Sequence, residues 1–119
     1  MLAVGEQLWG QVPEVLLRVA CPFGGGVGAT HEELCGVFAG AVILAGAGYG
    51  RASADEDDKP LLAAVAALRE RFVALAGHVR CDDVRSAYPD VPKRCAPIVR
   101  EGARLVMQWF EELPAAAAR

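Results

Sequence analysis

The 119-residue sequence contains no CxxC pair. That spacing excludes a zinc ribbon and a thioredoxin-type motif. It has two serines, Ser53 and Ser86, and neither stands in a GxSxG elbow, which disfavours a serine hydrolase. Basic residues are not in excess. Twelve Lys and Arg face fifteen Asp and Glu, for a formal charge of −3, which excludes a broadly basic nucleic-acid surface. No apolar run reaches the ~20 residues of a membrane span. The longest uncharged stretch, residues 34–50, has 17 residues broken by glycines and predicts a buried core helix. The N-terminus lacks a basic region, and Glu6 interrupts its first apolar run. No signal peptide is expected, so the expected compartment is the cytoplasm, where thiols stay reduced or act as ligands or redox groups. Cysteine is also sparse, at about 3% against the ~8–10% of disulfide scaffolds.

What is present is a globular composition, 54% hydrophobic and 23% charged. The length suits one domain with a single core. Proline and glycine divide the chain into helical segments. Ala3 to Trp9 is one, stopped at Gly10. Pro13 opens a second, with Val15, Leu16 and Val19 as its apolar stripe and Cys21-Pro22 as its end. A glycine loop, Phe23 to Ala29, follows. Thr30 with Glu33 reads as a capping box for a third helix carrying Leu34, Cys35, Phe38, Val42 and Ala45. Pro60 opens the clearest helix, with Leu61, Val65, Leu68, Phe72 and Leu75 on one face and Gly77 as its stop. His78 to Lys93 is expected to be an irregular connector with at most one short turn of helix. The last helix carries Cys95, Val99, Leu105, Val106, Trp109, Phe110 and Leu113, and Pro114 ends it ahead of a frayed 115–119. No segment alternates with period two, so the expected fold is a single all-α domain of four or five helices.

The cysteines are Cys21, Cys35, Cys81 and Cys95, and both histidines lie near one of them. In the helix predicted from Thr30, His31 and Cys35 are i, i+4 and share a face. His78 precedes Cys81 by three residues. Sulfur and imidazole donors suit zinc, copper or an iron–sulfur cluster. The competing reading makes the cysteines small buried hydrophobes. The glycine loop lacks the GK[ST] of a phosphate-binding loop, so it reads as a tight turn passing close to another element. Gly36 and Gly40, i, i+4 in the next helix, suggest close helix packing. A Cys35 nucleophile with His31 as its base is a further, weaker reading.

These residues carry a family resemblance. Phe23-Gly24-Gly25-Gly26-Val27-Gly28, then Glu33-Leu34-Cys35-Gly36-Val37-Phe38-Ala39-Gly40 and Tyr49-Gly50-Arg51, resemble the C_GCAxxG_C_C family of small redox-active proteins. The likeness continues through Arg71-Phe72, Cys81 and Arg94-Cys95-Ala96-Pro97-Ile98-Val99. The resemblance implies a redox role, with an iron–sulfur cluster or another metal as possible cofactor. A related cysteine domain occurs in split-Soret cytochromes. It makes Cys35, Cys81 and Cys95 the second, third and fourth family cysteines. Cys21, His31 and His78 are additional candidates, and Gly24, Gly25, Gly26, Gly28, Gly36 and Gly40 are structural glycines. Val37 replaces the usual alanine. The first family cysteine belongs upstream of Ala3-Val4-Gly5-Glu6. Either the start is truncated relative to the family, or that cysteine is lost and Cys21 or a histidine replaces it. An unidentified redox partner is implied, with no nucleic acid and no membrane span. The alternative function is a non-catalytic helical interaction module, homodimeric through apolar surface around Trp9, Trp109 and Phe110.

Overall fold

The computed structural model describes residues 1–88 and 94–113. Among these the chain forms α1 (Leu2–Trp9), α2 (Glu14–Ala20), a 3-10 turn (Cys21–Phe23), α3 (Gly36–Tyr49), α4 (Lys59–Ala76), α5 (Cys81–Arg85) and α6 (Ala96–Glu112). No strand is present among the described residues, so the fold is all-α. The six α-helices exceed the expected four or five because α5 forms inside the connector. Its ends match the helix dipole, with Asp82 and Asp83 in the first turn and Arg85 in the last.

Helix α3 is the centre of the packing. It is apolar on all sides, as an interior helix must be, and buries Phe38, Ala39, Gly40, Ala41, Leu44 and Ala45. It packs against α2, α4 and α6. Helix α4 starts with Pro60 in its first turn and presents Leu68 and Phe72, each 1% exposed. It stops at Gly77, whose φ of 82° lets its N–H reach Val73 O at 2.7 Å. Helix α6 buries Ile98, Gly102, Val106, Trp109 and Phe110, spaced by three or four apart from the final pair. The Phe38 and Phe72 rings meet at 5.7 Å between α3 and α4. Trp109 stands edge-on to Phe110 at 4.9 Å, and Tyr49 stacks on Phe110 at 6.0 Å. Trp109 and Phe110 are therefore core residues. They do not supply the exposed apolar surface expected of them, since Phe110 is stacked by Tyr49 of α3 and Trp109 packs on Phe110; Trp9 alone of the three is exposed.

The start of α3 departs most from expectation. The helix begins at Gly36 with Cys35 as its N-cap, not at Thr30. The Thr30 hydroxyl donates to the carbonyls of Gly26 and Val27 and accepts from the Glu32 N–H, so it closes the glycine loop and caps no helix. Residues 31–35 lie alongside 79–82. A single antiparallel bridge joins Leu34 to Arg80, flanked by Cys35 N–H to Val79 O (2.7 Å) and Cys81 N–H to Glu33 O (2.8 Å). Cys35 and His31 thus share no helix face. Among the described residues no helix is long and apolar enough to cross a membrane. The expected stop at Pro114, the frayed 115–119 and the 89–93 part of the connector lie outside the described residues.

Candidate functional site

The bridge places two of the thiols. Side chains alternate across an extended segment. Leu34 and Arg80 therefore turn to one side, where both are exposed, and Cys35 and Cys81 turn to the other, where both are buried. Diagonal neighbours on such a face stand on the order of 7 Å apart. Cys95, the N-cap of α6, brings the third thiol to the same place. Together with Met1, Gly25, Gly36, Val37, Ile98 and Val99, the three cysteines line one cavity of about 270 Å³. All four cysteines are free thiols.

Each of the three stands at the start of a helix, Cys35 and Cys95 as N-caps and Cys81 as the first residue of α5. Backbone N–H groups at such positions favour a thiolate. Burial opposes them. It pushes the Cys35 thiol above its ordinary pKa, and the charge on Cys95 adds to the rise, while the N–H groups of Val37 and Phe38 pull the other way. Burial also raises Cys81, as do the charges of Cys35, Cys95 and Asp82; the Arg85 guanidinium counters them. The three sulfurs therefore feel one another's charge. Arg85 is a residue that the sequence reading missed. Its signal was the i, i+4 spacing from Cys81, which carries meaning only once α5 is known to be a helix.

The glycine loop forms the site's wall. Five consecutive residues, Gly25 to Ala29, have φ between 57° and 71°, Val27 among them, and His31 follows at 63°. L-residues rarely enter this left-handed region, and a β-branched one is an outlier. Hydrogen bonds within the loop hold this shape: the N–H of Val27 donates to Phe23 O, that of Gly28 to Pro22 O, that of Ala29 to Gly24 O and that of His31 to Gly25 O. Gly26 lies against Cys81, and Gly25 lines the cavity. Gly36 also lines the cavity and faces the Phe23 carbonyl of the 3-10 turn, whereas Gly40 lies against Met1.

The remaining candidates lie elsewhere. Cys21 is exposed on the 3-10 turn and is absent from the cavity wall. His78 is exposed. His31 Nδ1 faces Arg85 Nη1 at 2.5 Å, so the ring accepts from a guanidinium and is not poised to act as base for Cys35.

The chain matches the family model described as "Putative redox-active protein (C_GCAxxG_C_C)" over residues 1–109. It belongs to the C_GCAxxG_C_C family. Within this C_GCAxxG_C_C chain, then, Cys35, Cys81 and Cys95 line a common cavity. No curated protein and no solved structure matches the chain. The donor types of the site, three soft thiols, are those of zinc or iron–sulfur sites. Their placement is different: among the described residues no group of three or more His, Cys, Asp or Glu stands where it would hold a metal ion. The residues as placed do not form a ligand set.

Proposed function

We propose that the protein is a thiol redox protein whose centre is formed by Cys35, Cys81 and Cys95. One observation carries this reading: three thiols from three helix starts, far apart in sequence, line one cavity. Two of them can hold an electron pair as the dithiol and release it by forming a disulfide where their Cα atoms lie within ~7 Å. Burial keeps Cys35 and Cys81 from casual oxidation, and the shared cavity keeps them close to Cys95. Arg85 favours the charged form of Cys81, and the N–H groups of Val37 and Phe38 favour that of Cys35.

The test is a redox titration of the Cys21→Ser protein, with thiols counted by mass-tagging maleimide at each potential. The expected result is reversible loss of two thiols, mapped among positions 35, 81 and 95. Thiols that stay reduced at all potentials, or that oxidise only between molecules, would overturn the reading. Iron and zinc analysis of protein purified anaerobically belongs with the titration. Stoichiometric metal, lost in a Cys35→Ser variant, would favour metal or cluster binding by the same three cysteines.

A further inference from the structure

The three thiols differ in access. Cys35 is 7% exposed and Cys81 6%, whereas Cys95 is only partly covered. Val99, one turn further along α6, is 53% exposed and lines the same cavity. Residues i and i+4 of a helix share a face, so the Cys95 side of α6 is where the cavity opens outward. Cys35, the buried N-cap of α3, lines the same cavity. A reagent too large to enter a cavity of about 270 Å³ meets Cys95 first.

We propose that Cys95 is the entry thiol of a thiol–disulfide exchange centre, that Cys35 resolves the adduct formed there, and that the substrate class is a disulfide. This rests on the redox reading above and adds the order of events. The Cys95 thiolate attacks one sulfur of the substrate disulfide. A Cys95–substrate disulfide forms, the substrate S–S bond breaks, and one substrate thiolate leaves. The Cys35 thiolate then attacks the Cys95 sulfur. The Cys35–Cys95 disulfide forms and the second substrate thiolate leaves. The two protons from Cys35 and Cys95 end on the two substrate thiols. The substrate is reduced by two electrons and the protein is oxidised by two.

The test uses the full chain carrying Cys21→Ser, since the exposed Cys21 would otherwise react on its own. Glutathione disulfide serves as a small substrate and a disulfide-bonded peptide as a large one. With Cys35→Ser added, either substrate is expected to leave a mixed disulfide trapped on Cys95, located by peptide mass. With Cys95→Ser or Cys95→Ala instead, mixed-disulfide formation on the remaining thiols is expected to slow at least tenfold. A first adduct on Cys35 or Cys81, or an unchanged rate without Cys95, overturns the proposal. The redox reading fails separately, if the Cys21→Ser protein cannot be reversibly oxidised by either disulfide.

Discussion

Gly26 and Cys81 are so close that no side chain fits between them. A Cβ added at Gly26 would lie 2.5 Å from the Cys81 Cβ and 2.8 Å from the His31 Cα. Neither atom is the free end of a flexible side chain. The Gly26 φ of 71° adds a penalty of ~1–2 kcal/mol for any L-residue. Gly26→Ala is therefore expected to lower stability by about 2–4 kcal/mol. Gly28 has a φ of 60° but open space around it, so Gly28→Ala is expected to lose only about 1 kcal/mol. Urea denaturation of the two variants checks the order. Equal losses would mean that contact with Cys81 does not fix the loop.

Two helical glycines give effects of opposite sign. Gly102 in α6 faces the Val37 side chain with no room for a methyl group. Gly102→Ala would push α3 from α6 beside the thiol cavity, and a loss of about 1–3 kcal/mol is expected. Gly46 in α3 is exposed, with nothing near its missing Cβ. Gly46→Ala removes backbone freedom from the unfolded chain and is expected to add about 0.5–1 kcal/mol. Thermal melts of both should move in opposite directions; a destabilised Gly46→Ala would contradict the open surface assigned to that position.

The core makes a steeper contrast. Phe72 is 1% exposed and its ring meets Phe38, so Phe72→Ala is expected to lose about 3–5 kcal/mol. Leu62, on the same helix, is 59% exposed, and Leu62→Ala should change stability by no more than about 0.5 kcal/mol. The difference between their denaturation midpoints tests the assignment of the buried face of α4.

That face was legible in the sequence because it rests on local rules. The spacing of Leu61, Val65, Leu68 and Phe72, with Pro60 in the first turn and Gly77 after the last, marks the helix and most of its inner face; Leu75, expected on the same face, is instead 43% exposed. The start of α3 was not legible in the same way. Thr30 and Glu33 satisfy the pattern of a capping box, yet the Thr30 hydroxyl finds loop carbonyls and residues 31–35 find 79–82, nearly fifty residues away. A long-range partner outweighs a local propensity and leaves no local trace. The same bridge brings Cys35 to Cys81. Spacing alone therefore left the cysteines ambiguous, and family resemblance was needed to group the three. Trp109 and Phe110 illustrate the opposite error: large apolar residues near a chain end invite an interface, but here they close the core.

The buried thiols should also make stability depend on alkaline pH. Burial raises the folded-state pKa of both Cys35 and Cys81. In the unfolded chain each returns to the ordinary value of about 8.5. Below that value both states hold the proton, and the contribution of the neutral buried thiols is fully present. Above it the unfolded chain loses protons that the folded chain keeps. Stability then falls as pH rises, until the folded-state pKa values are passed, with a slope of at most ~1.4 kcal/mol per pH unit for each thiol. Urea midpoints measured under reducing conditions from neutral to alkaline pH should show this decline. A Cys35→Ala, Cys81→Ala double variant should be less stable at neutral pH, since two packed sulfurs are gone, but its alkaline decline should be shallower. Comparing the two slopes cancels the tyrosines and lysines that titrate in the same range. Parallel curves would mean that the two thiols ionise equally well in the folded and unfolded chain, against the burial that the bridge between Leu34 and Arg80 imposes on them.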